Sequence, residues 1–467
     1  MSNAAAMPAE ISTERPTMIR WVVAVVVGML AVVIYMHRSC IAPASTTIEA
    51  EFRIDSATMG NIQAAFSWGY LFQLLGGILA GRFGCRWTLT LFAIGSSLAV
   101  FGSSLSRTPE MLWWSTFGIG LAQAGIVPCV SHLLKDWMPA TQRGISGAFF
   151  TGSMSIGATL ASSLTGLLLA STGWRIIFAA YGVVGLVWAV GFSLWFRNRP
   201  QEHWQVSQAE IELILAGRTE TPAAPVAPHR DWTARLRHDL RAFARVTLTM
   251  LSSWNQWANC GQQFCRNFVY TFFITGFPAF LIKAFGVSTA EAGGLNSIPL
   301  STAIFGVFTG GFLIDAILKR TGNRWLSRSG LAAVGHLICA ACILAAAWMP
   351  TPILAVTLIG VGIFFFGFGS PCTWAATMDI AGRNTSAFFA VMNTVGVVAG
   401  IYCPKIVGRM FDQATAGEIE WSQIFFLFAG MNLAGALCWL TLRSNRPAAL
   451  PAWASFLNED HDENYPH

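Results

Sequence analysis

Long apolar runs separated by short polar turns dominate this chain. Runs able to cross a bilayer begin near Trp21, Ala57, Thr88, Leu112, Gly144, Ile176, Val246, Gly293, Ser329, Pro352, Ser386 and Ser422, because about 20 apolar residues in a helix span the hydrocarbon layer. The pattern predicts an all-α membrane protein with twelve transmembrane helices. A polar segment, residues 196–245, splits the runs six and six. The expected organisation is a tail at 1–18, a six-helix bundle at 19–195, a linker at 196–245, a second bundle at 246–446 and a tail at 447–467.

Within the linker, Ser207 and Glu210 have the S-x-x-E spacing of a helix start, with Ile211, Leu213 and Ile214 behind them. Pro222, Pro225 and Pro228 then interrupt the chain. Leu236, Leu240 and Phe243 among arginines suggest a second amphipathic helix on the membrane surface. The two bundles repeat each other: Gly76-Gly77-Ile78-Leu79-Ala80-Gly81-Arg82 after span two answers Gly310-Gly311-Phe312-Leu313-Ile314-Asp315 after span eight. Two pseudo-symmetric halves around a midplane site are how secondary carriers are built.

Composition sharpens the class. With 54% hydrophobic and 11% charged residues, the chain departs from a soluble domain, where about a quarter of residues are charged. Arg15 and Arg20 precede a first run too long for a signal-peptide core, so no cleavable signal is expected. With the N-terminus inside, 21 of the 29 lysines and arginines fall on that side, which predicts that both termini are cytoplasmic. The net charge of +6 is therefore a membrane-orientation signal and implies no nucleic-acid partner. His336, Cys339 and Cys342 stand three apart on a helix, but no fourth ligand is near, and packing is the preferred reading.

Polar residues recur at helical spacing inside several spans, the pattern of a face that lines a cavity. Gln263, Arg266, Asn267 and Tyr270 do so in span seven, Gln63, Ser67 and Tyr70 in span two, and Tyr35 and Arg38 in span one. Thr116 and Gln123 stand two turns apart in span four, Ser370 and Thr373 lie in span ten, and Asn393 lies beside Gly396 and Gly400 in span eleven. Arg38 and Arg266 carry the argument. A guanidinium inside an apolar span costs on the order of 3 kcal/mol, and no acid occupies the apolar middle of any span. Two such cations need a bridging anion, and guanidinium forks suit carboxylate, sulfate or phosphate oxygens.

The expected function is secondary transport of a small organic anion by alternating access, with Arg38 and Arg266 holding the charge. No G-x-x-x-x-G-K-[ST] stretch supports an ATP-driven pump. No paired carboxylates, or serine and histidine at helical spacing, support an enzyme, and no cofactor is implied. A non-transporting anion sensor on the same scaffold is the alternative. His37 is a candidate proton carrier and equally a candidate for a neutral, hydrogen-bonded histidine.

These residues resemble the anion:cation symporter branch of the major facilitator superfamily, which carries sugar acids in bacteria and glutamate, sialic acid or phosphate in animals. The resemblance rests on Tyr35-Met36-His37-Arg38, Phe66-Ser67-Trp68-Gly69-Tyr70, Gly120-Leu121-Ala122-Gln123-Ala124, Gly173-Trp174-Arg175, Gln263-Phe264-Cys265-Arg266-Asn267, Phe277-Pro278-Ala279-Phe280-Leu281 and Met392-Asn393-Thr394. It implies the major facilitator fold and a substrate carboxylate on Arg38, with Tyr35, Tyr70, Gln263 and Asn393 around it. Arg266, Asn267 and Thr373 complete the expected binding set, and His37 and Gln123 are the coupling candidates.

The cytoplasmic signature falls on Gly77, Arg82, Arg86, Gly311 and Asp315. Departures matter: the bacterial symporters usually carry Asp in place of His37 and Glu in place of Gln123, so the resemblance does not imply coupling by the usual acids. Arg266 is closer to the vesicular organic-anion carriers. The expected partners are the anion, a proton or other cation, and the bilayer, for a monomer in a prokaryotic plasma membrane.

Overall fold

A computed structural model of the protein describes residues 15–139, 142–215, 253–381 and 385–444. Every regular element described is helical. The first half comprises α1 (Ile19–Ser39), α2 (Ile41–Phe52), α3 (Ser56–Tyr70), α4 (Gln73–Ser104), α5 (Pro109–Gln123), α6 (Ile126–Trp137) and α7 (Arg143–Trp195). A linker helix α8 (Gln208–Leu215) follows. The second half comprises α9 (Trp254–Thr275), α10 (Phe277–Phe285), α11 (Thr289–Thr321), α12 (Leu331–Ala346), α13 (Pro352–Phe366), α14 (Gly369–Ala381), α15 (Thr385–Thr415) and α16 (Ser422–Thr441).

By length and composition nine of the described helical stretches can cross a membrane, or ten when the α9–α10 pair, bent by 62°, is one span. Two features reconcile this with twelve. α7 is two antiparallel helices turned at Gly173 (φ 73°, ψ 156°), a backbone state that glycine alone adopts without strain. Span two begins as the short, polar α3 and continues into α4 as far as Gly84 (φ 74°), where the chain turns into span three. Large apolar side chains on the outer surface, among them Phe312 at 77% and Val187 at 68% exposure, then face lipid rather than water.

The end where α1 begins and α16 finishes is called the terminal end here, and the opposite one the far end. Span one passes its expected stop near Ala44: the helix restarts after Cys40, tolerates Pro43 in its first turn and runs to Phe52. That extension carries Glu49 into the packed region, where it is buried.

Between the halves, contacts gather toward the far end. α3 packs on α15 so closely that a Cβ added at Gly60 would meet the Pro404 carbonyl oxygen at 2.2 Å, and one at Gly408 the Ser56 carbonyl oxygen at 2.2 Å. α7 meets α11 in the same way, with Gly166 against the Cα of Gly293 and Ser162 accepting a bond from Asn296 at 2.9 Å.

The expected linker helix forms with Ser207 at its head: the Glu210 amide donates to the Ser207 hydroxyl at 3.3 Å. Glu210 itself is buried and bridges back to the start of α1, accepting from Arg20 at 2.9 Å and from the Ile19 and Arg20 amides. The second amphipathic helix around Leu236, the first residues of span seven, the C-terminal tail and residues 1–14 of the N-terminal tail lie outside the described residues.

Candidate functional site

The central site is assembled from α1, α3 and α9. Tyr35 and Arg38 lie one turn apart on α1, and the Arg38 guanidinium carbon sits 4.5 Å from the Phe66 ring centre and 5.6 Å from that of Tyr35. From the other half, the hydrogen bond that Arg266 on α9 makes among the described residues is to Gln263 of its own helix, Nε to Oε1 at 3.5 Å. Among the described residues the salt bridges are Arg20–Glu210, Arg175–Glu51, Lys283–Glu49 and Arg328–Asp379, so neither Arg38 nor Arg266 has a protein carboxylate.

The two arginines belong to one electrostatic cluster. Tyr35 is close enough to interact with Arg266 as well as Arg38, and it packs against the apolar cores of both halves. Tyr70 lies near enough to Tyr35 and Arg38, and Tyr270 to Tyr35, Arg38 and Arg266, to couple with them electrostatically. Phenolic hydroxyls can donate to or accept from an anion without adding a fixed charge. Tyr270 stands on the polar stripe of span seven at i+7 from Gln263, and that spacing marks its place in the cluster.

Other candidates take different positions. Asn267 and Gln263 lie against Gly396, where a Cβ would meet Asn267 Nδ2 at 2.3 Å and Gln263 Cγ at 3.1 Å. Asn393, one turn earlier on α15, is exposed. Thr373 is buried between α14 and α9, its hydroxyl donating to the Gly369 carbonyl at 2.8 Å and lying 3.3 Å from Gln262. It belongs to a neutral ladder that continues from Gln262 to Asn259 and Thr377, behind the arginine face.

His37 and Gln123 also sit behind that face, inside the first half. The Gln123 amide donates to Ser96 Oγ at 2.9 Å and to the Ile34 carbonyl at 3.0 Å. Ser96 Oγ is 3.0 Å from His37 Nδ1, and His37 Nε2 is 2.9 Å from the Tyr181 carbonyl oxygen. A carbonyl can only accept, so Nε2 carries a proton there; Nδ1 is then free to accept the serine hydroxyl. Every position in the chain Gln123–Ser96–His37–Tyr181 is thus satisfied with a neutral imidazole.

In the signature loops, Gly77 and Arg82 lie in a part of α4 whose side chains are outside the description. Arg86 donates to the Ser193 carbonyl at 2.8 Å, and Gly311 and Asp315 stand on the open side of α11. His336 bonds the Ala332 carbonyl of its own helix at 2.9 Å and packs between Gly369 and Gly435, a structural setting.

Two helical halves that meet around unpaired cations in mid-span define a membrane carrier. The sequence pattern of the Major Facilitator Superfamily matches residues 27–404, and the chain belongs to that family of transporters; it is not an enzyme. It is 25% identical over 416 residues to the probable sulfoacetate transporter of Cupriavidus necator, covering 88% of this chain and 91% of the relative. It is 25% identical to the probable galactarate/D-glucarate transporter of Bacillus subtilis, covering 91% of each chain. Among solved structures, a D-xylose-proton symporter superposes with a TM-score of 0.69 at 15% identity over 90% of this chain and 97% of that one. The relatives are sugar-acid and organic-anion transporters, and the solved structure shares the fold.

Proposed function

We propose that the transported molecule is a small organic dianion whose two acidic groups are held by Arg38 and Arg266. The observation that carries this reading is the pair of half-buried guanidinium groups, one from each half, with Tyr35 near both and no carboxylate of the described residues bonded to either. A single carboxylate satisfies one guanidinium fork; two forks from opposite halves fit a molecule charged at both ends. Sulfoacetate and the aldarates named for the relatives are such molecules. Tyr35, Tyr70, Gln263, Asn267 and Asn393 supply neutral hydrogen-bonding groups around the charge.

Bridging the halves is what makes binding useful for transport. An anion that engages both cations draws the bundles together, whereas the empty site leaves two like charges facing each other. Bonds between the halves gather at the far end, which favours access to the site from the terminal end in this conformation. Both termini face the cytoplasm of a prokaryotic cell in this reading, by the distribution of basic residues. The protein acts as a monomer. His37 in its closed neutral chain is poorly disposed to take up a coupled proton, which leaves exchange, the membrane potential or a cation bound elsewhere as the driving force.

The test is uptake of D-glucarate into proteoliposomes by the parent protein and by Arg38→Ala and Arg266→Ala. Losing one partner of a desolvated charge pair costs about 2–5 kcal/mol, so each variant loses roughly 30-fold or more. Parent-level uptake by either variant contradicts the proposal, and D-glucarate binding with no flux in the parent favours the sensor alternative.

A further inference from the structure

An arginine inside a membrane span is ordinarily held by an acid; the half-buried Arg38 is held by aromatic faces instead. Its guanidinium carbon is 4.5 Å from the centre of the Phe66 ring, nearer than to Tyr35. Phe66 is 7% exposed and stacks on Tyr70, ring centres 5.6 Å apart and planes 18° apart. Its backbone is gripped by α5, since a Cβ added at Gly120 would stand 1.9 Å from the Phe66 carbonyl oxygen. One residue on, the Ser67 hydroxyl stands 2.4 Å from where a Cβ at Gly400 would lie. Phe66 therefore sits at a fixed point between two helices and presents its face to the cation.

We propose that Phe66 is the positioning residue for Arg38, serving as a neutral counter-surface that holds the guanidinium in place while leaving its N–H donors and its charge free for the transported anion. The inference rests on the reading of Arg38 as an anion-binding group. A carboxylate in the same place would occupy the donors of the fork and neutralise it, and the substrate would then compete with the protein for its own binding group. A ring face attracts the cation through its quadrupole and consumes no N–H. The stacked Tyr70 ring packs against Phe66 and restricts its reorientation. With the arginine immobilised before binding, less side-chain entropy is lost when the anion arrives.

The experiment compares Phe66→Leu, which keeps apolar bulk and removes the ring, with Phe66→Tyr, which restores a ring, in D-glucarate uptake by proteoliposomes, with Arg38→Ala alongside. A second readout needs no substrate: mass-spectrometric measurement of phenylglyoxal labelling at Arg38, with Arg266 as internal reference. The expected result for Phe66→Leu is a KM raised about tenfold with kcat changed less than about threefold, as loss of a desolvated cation–π contact implies. Arg38 labelling changes in the same variant, and Phe66→Tyr returns both readouts toward the parent.

The proposal is overturned if Phe66→Leu leaves KM and Arg38 labelling at parent values, if it lowers kcat alone, or if Phe66→Tyr is as impaired as Phe66→Leu. Should Phe66→Leu fail to fold, Phe66→Tyr and Phe66→Trp with parent KM and labelling support the proposal, and a raised KM in both overturns it. The reading beneath it fails separately: parent-level uptake by Arg38→Ala, or a parent protein that neither binds nor carries a dianion, removes the substrate role of Arg38 while the labelling comparison still reports on Phe66.

Discussion

The far and terminal ends of this protein are bonded on different principles. At the far end, beside the Arg175–Glu51 bridge inside the first half, several partners come from opposite halves: Lys283 of α10 donates to Glu49 of α2 and to the Ser56 hydroxyl, both at 2.6 Å. Asp412 of α15 caps α3 by accepting from the Ser56 and Ala57 amides at 2.9 and 2.8 Å. Gln63 reaches the Thr275 carbonyl at 2.9 Å. At the terminal end, the described bonds stay within a half or tie the linker to the first half: Arg20 with Glu210 of the linker, Arg86 with Ser193, Arg328 with Asp379 at 3.1 Å, and Ser329 with the Leu442 carbonyl at 2.9 Å. Among the described residues, the hydrogen bonds and ion pairs that join the two halves are thus gathered at the far end, the pattern expected when two halves close there and rock about a central site.

The largest effect is expected from prising the far end open. Gly60→Val places atoms inside van der Waals contact of the Pro404 backbone, which cannot yield as a side chain can. Overpacking of this kind costs about 1–3 kcal/mol. D-glucarate uptake into proteoliposomes should fall roughly 30-fold while the protein stays monodisperse on size exclusion. Unchanged uptake would mean that the α3–α15 contact is not needed for the cycle.

A smaller effect follows from Lys283→Ala, which strands a buried carboxylate at the interface. The expected shift toward far-end opening is about tenfold in population, the cost of an unsatisfied buried charge. Spin labels at Thr108→Cys and Thr351→Cys, both exposed far-end positions, read it directly, because the native cysteines are buried or half-buried. Adding Glu49→Gln should restore part of the parent distance distribution, since no uncompensated charge remains. A distribution unmoved by Lys283→Ala breaks the comparison.

Glu210→Gln at the terminal end should lower thermal stability without changing those distances, by about 1–2 kcal/mol. Burial alone would raise the Glu210 carboxyl, but hydrogen bonds from Thr17, the Arg20 and Ile19 amides and the Arg20 guanidinium outweigh it and hold it below the usual carboxylate value. A depressed folded-state pKa stabilises fully above the unfolded value, near pH 4, and the contribution disappears as pH falls through the folded value. The parent protein should therefore lose its stability advantage over Glu210→Gln on acidification, as thermal melts at stepped pH would report. A variant whose far-end distances change would show that the linker contact couples the halves.

Much of this architecture was legible in the apolar runs, because lipid-crossing helices announce themselves by length. Arg38 and Arg266 were legible for the converse reason, as charges inside such runs. Periodicity places Tyr270 on a stripe with Arg266, but it cannot say which neighbouring helix a stripe faces. Thr373 and Gln123 have polar spacing yet turn into networks within one half. Glu49 escaped notice because span one continues past Pro43, and its partner Lys283 is more than 200 residues away along the chain. Phe66 carries no polar signal at all; its role depends on a ring face meeting a cation from another helix, which only coordinates display.

The most direct test of the two-arginine account is the relative uptake of D-glucarate and D-glucuronate, molecules of equal carbon count with two carboxylates and one, by the parent protein and Arg266→Gln in proteoliposomes. The account predicts a parent preference for D-glucarate that Arg266→Gln reduces by roughly tenfold or more, through loss of dianion uptake with D-glucuronate little changed. An equal fall for both anions, or an unaltered preference, would contradict it.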